Sequence, residues 1–166
     1  MKKLKYILII LVLFIFLWFF ARMVNSKEID DVSPGIFCEK EYLMKSDVLW
    51  VIPKFENKSI AENKSWCEYV LSLNKTLGLH GVLHEYEEFG EIRNQDYLDE
   101  GMDMFEECFG FKPVMFKPPQ LKIIKENKNL VQKNSLMFKG KWNQGVHKVY
   151  HCNDTGMISN EFIDLF

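Results

Sequence analysis

Residues 47–53 read D-V-L-W-V-I-P, a short, nearly continuous apolar run that stops on proline. A strand with one wet face alternates apolar and polar side chains. A run without alternation belongs to a strand covered on both faces, as in parallel sheets flanked by helices. The rest of the chain supplies such helices. S-I-A-E at residues 59–62 has the form of a capping box, and behind it Trp66, Val70, Leu73 and Leu77 recur at helical spacing beside Cys67 and Leu71. Residues 76–83 return to a strand-like run. Asn94 is placed to cap a helix reaching Cys108, with Tyr97, Leu98, Phe105 and Cys108 on one face and Gly110 where a left-handed terminator belongs. Short strands are expected at 112–116, 136–138 and 147–152, a polar helix with a thin Leu121, Ile124, Val131 stripe at 121–132, and a last helix at 160–166. Alternating strands and helices predict an α/β protein with a mainly parallel sheet.

The N-terminus obeys a different rule. Lys2, Lys3 and Lys5 precede sixteen uncharged residues, 6–21, rich in Ile, Leu, Phe and Trp. At about 1.5 Å per residue this is slightly short for a hydrocarbon core of about 30 Å, and Lys5 snorkelling with Met23 and Val24 extends it. L-W-F-F at 17–20 offers no small-residue cleavage site, although Ala21 and Ser26 are near. The expected organisation is a membrane anchor over 1–24 and a single domain over 25–166. The three leading lysines favour a cytoplasmic N-terminus with the domain on the extracytoplasmic side. Secretion after signal cleavage is the alternative.

The chain carries a formal net charge of −2, and without Lys2, Lys3 and Lys5 the balance is 18 basic against 23 acidic residues. That argues against a nucleic-acid partner, which needs a basic patch. Cys38, Cys67, Cys108 and Cys152 show no C-x-x-C spacing, so a zinc knuckle is not expected, whereas one or two disulfides suit an extracytoplasmic domain. Asn57, Asn63, Asn74 and Asn153 head N-x-S/T sequons, which matter only in a eukaryotic secretory route.

The polar residues that stand at expected strand ends are Asp30 and Asp31, His80 and His84, Lys117 before Pro118-Pro119, and His151. In α/β folds functional side chains gather at strand ends. H-x-x-x-H puts two imidazoles on one side of either a helix or an extended segment. One aspartate and two histidines with open positions suit zinc or another borderline divalent ion. A second aspartate could take a proton from the attacking water, and a further histidine could protonate a leaving amine. Taken singly, each pattern has an ordinary explanation. Asp30-Asp31 reads as a turn before Ser33-Pro34, residues 116–119 as a strand stop, and His151, with His147 as its competitor, as a core histidine. Trp142 is a candidate sugar-stacking platform or a plain surface aromatic.

Together, I-D-D-V-S-P at 29–34, H-G-V-L-H at 80–84, F-K-P-P at 116–119 and V-Y-H at 149–151 resemble, in order, the motifs of the polysaccharide deacetylase superfamily, within a branch of short proteins. The resemblance spans about residues 28–151. It implies a distorted, incomplete (β/α) barrel that removes an N-acyl group from a carbohydrate. It assigns Asp31, His80 and His84 as ligands of a divalent metal such as zinc, Asp30 as general base and His151 as general acid. Lys117, Pro118 and Trp142 would stand on the substrate and oxyanion side. Lys117 occupies a place where many members have arginine, which exchanges a rigid fork for a point charge. A catalytically inactive deacetylase-fold binding protein at the membrane is the second reading.

Overall fold

The computed structural model describes residues 2–165, with the side chain of Lys2 left out. The chain forms α1 (Lys2–Val24), β1 (Glu28–Val32), α2 (Lys40–Lys45), β2 (Val48–Val51), β3 (Lys54–Phe55), β4 (Lys58–Ser59), α3 (Lys64–Ser72), β5 (Thr76–His80), α4 (Gln95–Phe109), β6 (Met115–Lys117), α5 (Lys125–Lys133), β7 (Met137–Phe138), α6 (Lys141–Val146), β8 (Val149–His151) and α7 (Asn160–Leu165). Six strands make one parallel sheet in the order β7-β6-β5-β2-β1-β8. Along β1, β2, β5, β6 and β7 each strand lies beside its predecessor. The last strand, β8, returns to pair with the first, so β7 and β8 form the two edges. The strand-helix alternation read from the sequence is therefore present.

The unalternating run around β2 is explained by burial on both faces. Leu49 and Val51 join Ile29, Leu77, Leu79, Phe116 and Tyr150 in a core shared with Val70, Leu98, Phe105 and Val131 of the helices. Trp50 and Ile52 point the other way and are equally buried. On that second face Trp50 sits in register with Gly78, where an added Cβ would overlap the indole ring. Glycine there is what admits the ring.

Helix boundaries follow local capping. Asn94 accepts from Tyr97 N–H at 2.9 Å and Gly110, at φ +79°, closes α4, as the sequence indicates. At residue 59 the outcome differs from the sequence reading. Ser59 ends a tight β3–β4 hairpin, whose turn residues Glu56 and Asn57 both have positive φ, and caps only a single 3₁₀ turn. The helix proper starts at Lys64, with Asn63 accepting from Trp66 N–H at 3.2 Å. The polar helix expected at 121–132 starts at Lys125, after a 3₁₀ turn at Pro119–Leu121.

Two disulfides, Cys38–Cys152 and Cys67–Cys108, tie the segment after β1 to that after β8 and α3 to α4. α1 contains one span, Lys3–Val24, long and apolar enough to cross a membrane, a length and composition that signal sequences share. The end of α1 and the residue after it touch α6, where Trp18 Nε1 donates to Gly145 O at 2.8 Å and Asn25 Nδ2 to Val146 O at 3.1 Å.

Candidate metal and catalytic site

The strand ends of β1, β5, β6 and β8 bring six of the eight expected residues to one place. In a regular strand Asp30 and Asp31 would face opposite sides. Here the β1–β2 register slips between Ile29 and Val32, and Asp31 adopts φ +66°, a conformation rarely taken by residues other than glycine. That local strain turns both carboxylates toward the site. Thr155 holds Asp31 by donating from Oγ1 to Oδ2 at 2.9 Å.

Asp31 Oδ1 lies 3.3 Å from His80 Nε2 and 2.9 Å from His84 Nε2. The three ligand atoms all fall within 4.8 Å of one another. Two donors each about 2.1 Å from a metal ion stand about 3.0–3.4 Å apart at bond angles of about 90–109°, so this spacing fits a divalent ion with O and N ligands. The histidine tautomer also fits. His80 Nδ1 lies 3.0 Å from Lys117 O, a carbonyl that only accepts, so Nδ1 carries a hydrogen and Nε2 faces the carboxylate. Burial opposes charge on Asp31, but hydrogen bonds from His80 and His84 outweigh it and hold the carboxyl below its ordinary range. Burial likewise opposes charge on His80, yet Asp30 and Asp31 together raise its pKa. Without a metal the cluster is thus a tight acid–imidazole group, and the imidazole protons compete with any ion for the same lone pairs.

His84 reaches the site from a loop with a dedicated support. Gly81, at φ +66°, turns the chain, and a side chain there would strike Pro119 and the Glu88 carboxylate. Glu88 accepts from the backbone N–H groups of Val82 at 2.8 Å, Leu83 at 3.1 Å and His84 at 3.0 Å, and from Tyr97 Oη at 2.6 Å. His84 itself sits at φ +58°.

Asp30 is placed behind the metal-ligand group. Its Oδ1 receives Lys117 Nζ at 2.8 Å, and its Oδ2 stands 3.7 Å from His151 Nε2 and 4.0 Å from His80 Nε2. His151 is fixed through its backbone, which exchanges two hydrogen bonds with the Asn160 side chain, while its buried Nδ1 has no hydrogen-bond partner among the described residues. His147, the competitor, lies at the opposite end of β8, where Nδ1 contacts Glu28 Oε1 at 2.9 Å.

Three residues stand differently from a substrate-facing arrangement. Lys117 is 0% exposed, and its ammonium points at Asp30 and Glu28. Pro118 is buried at the end of β6. Trp142, on α6, is 87% exposed, and no contact among the described residues joins it to the site. Sequence reasoning passed over Glu28, Trp50, Thr155 and Glu88. Glu28 was detectable, because a residue two before Asp30 on a strand must share its face. Glu88 was not, since nothing local separates it from Glu85 and Glu87.

With this geometry in place, solved structures share the fold. A CE4 family pseudoenzyme from Bacillus anthracis superposes with a TM-score of 0.51 at 16% identity, over 68% of this chain and 41% of that one. The catalytic domain of a peptidoglycan N-acetylglucosamine deacetylase from Eubacterium rectale gives 0.51 at 12% identity, over 86% of this chain and 83% of that one. A family 4 carbohydrate esterase from Streptomyces lividans gives 0.50 at 12%, over 69% and 60%. The chain thus spans about two fifths of the pseudoenzyme's length. No protein-family model and no curated protein matches the sequence. The chain therefore shares its fold with these carbohydrate-deacetylase structures.

Proposed function

We propose that the protein is a membrane-anchored, metal-dependent hydrolase that removes an N-acyl group from a carbohydrate. The observation that carries this reading is the convergence of Asp31, His80 and His84 beside an Asp30 carboxylate tied at one oxygen and open at the other. When bound, a divalent ion such as zinc supplies Lewis-acid polarisation and a more acidic water. Asp31, His80 and His84 would hold it. Asp30, kept in orientation by Lys117, takes a proton from the attacking water at Oδ2. His151 delivers a proton from Nε2 to the departing amine nitrogen as the C–N bond breaks.

The sheet supports the incomplete-barrel reading. Its second face carries Glu28, Asp30, Trp50, His80 and Lys117, all buried yet outside the helix-packed core, as expected where a sheet curls over its own side chains with a gap between β7 and β8. The apolar α1 and the two disulfides support an anchor with the domain in an oxidising compartment.

The test uses the full chain in detergent, loaded with zinc and assayed for acetate release from N-acetylglucosamine polymers. Release is expected from the wild type, with a loss of about 10²–10⁴-fold in Asp30→Asn at unchanged metal content. The second reading, an inactive carbohydrate-binding member, is favoured by the pseudoenzyme among the structural neighbours. Polymer binding without acetate release at full metal loading would establish it instead.

A further inference from the structure

Glu28 has no part in the reaction just described, yet it is a fully buried carboxylate at the start of β1. It is 1% exposed. A strand that needed only to pack would carry an apolar residue here, because a buried charge costs several kcal/mol unless it is paired and hydrogen-bonded. The chain pairs it completely. Oε2 receives Trp50 Nε1 at 2.7 Å and lies 3.5 Å from Lys117 Nζ, and Oε1 lies 2.9 Å from His147 Nδ1. The Lys117 ammonium also stands 5.6 Å over the Trp50 ring, within the range of a cation–π contact.

We propose that Glu28 is a positioning residue, which acts through Lys117 to fix the Asp30 carboxylate; this rests on the hydrolase reading above. Strand alternation puts Glu28 and Asp30 on one face, two residues apart, and Lys117 reaches between them from β6. A lysine has three donors on a flexible stem and no fork of its own to set direction. With Asp30 as its sole anion the ammonium could pivot and carry the carboxylate with it. Glu28 and the Trp50 ring supply the missing constraints from below. Asp30 Oδ1 is then held at 2.8 Å while Oδ2 stays turned toward His151 and His80. The arrangement performs with three side chains what a single guanidinium fork does by shape. Gly78 belongs to it, since it makes the space that Trp50 fills.

The experiment compares Glu28→Gln, Lys117→Arg and the double variant in the zinc-loaded full chain, by steady-state kinetics and by crystal structure. Glutamine keeps an acceptor for Trp50 and so favours folding. The expected result for Glu28→Gln is a fall in kcat of about tenfold or more with KM and zinc content unchanged, and a rotated or disengaged Asp30 in the crystal. The double variant should recover much of that loss, because the arginine fork replaces the function of Glu28. Equal kcat in Glu28→Gln, or an unmoved Lys117–Asp30 contact, would overturn the proposal. So would additive losses in the double variant, which mark a structural role only. If the wild type releases no acetate from any polymer, the hydrolase reading fails, and the position of Asp30 in the Glu28→Gln crystal still decides whether Glu28 sets it.

Discussion

The two faces of the parallel sheet come from the same strands and follow different physics. On one face Ile29, Leu49, Leu79, Phe116 and Tyr150 meet helices, and cohesion there is non-directional burial. On the other Glu28, Asp30, Trp50, His80 and Lys117 are just as buried, but each is held by named partners at fixed distances. An apolar face tolerates exchange of one aliphatic residue for another of like volume. A charged face tolerates almost none, because each removal leaves a partner desolvated and alone.

The sharpest break in that contrast is at the rim of the polar face. His80→Ala with His84→Ala is expected to take the purified chain from about one bound divalent ion to none while circular dichroism stays native, since neither imidazole supports the helix-packed core. Elemental analysis with and without added zinc reads it, and equal metal in both proteins would disprove the ligand assignment. Below the rim, Lys117→Met should destabilise by about 3–5 kcal/mol, because Glu28 and Asp30 lose their shared cation inside the sheet. Adding Glu28→Gln should return part of this in denaturant titrations. No such rescue is expected for Leu79→Ala on the apolar face, where the loss is cavity formation. Opening Cys67–Cys108 by Cys67→Ser with Cys108→Ser tests the helix layer, with an expected cost of about 2–4 kcal/mol that leaves metal content unchanged.

The smallest effect concerns a charge cluster at the edge of the helix side. Asp164 receives Lys45 Nζ at 2.6 Å and Tyr150 Oη at 2.8 Å, and these contacts lower its pKa, the lysine more than the tyrosine. A depressed carboxylate contributes its stability above the unfolded value of about 4, and loses it as pH falls through the lower folded value. The wild type should therefore lose more stability than Asp164→Asn between about pH 5 and pH 3. Parallel losses would show the cluster to be idle.

These contrasts also explain what was readable in the chain. The apolar face was legible because burial leaves a periodicity: the unalternating run at β2, the stripe of Tyr97, Leu98 and Phe105, and the caps at Asn94 and Gly110 all follow from local geometry. The site residues could be listed from strand ends and motif order. Their roles were less accessible. Lys117 reads as a residue before proline at a strand end, and only the assembled sheet, with β5 and β2 between β6 and β1 in its order, brings its ammonium to Asp30. Asp30 and Asp31 read as neighbours that a strand would separate, until the register slip turns both inward. The Cys38–Cys152 and Cys67–Cys108 pairing, the β3–β4 hairpin that displaced the helix start from residue 59, and the Glu88 cradle under His84 likewise depend on segments far apart in sequence or on backbone turns.

By itself the sequence determined the alternation of strands and helices, the apolar N-terminal helix and the identity of the polar residues at strand ends, because each is a matter of local propensity and periodicity. Only the tertiary structure decided which carboxylate meets which cation. A charge buried in a sheet is stabilised by whatever stands opposite it, and what stands opposite Glu28 and Asp30 is a lysine nearly ninety residues away, brought there by strand order.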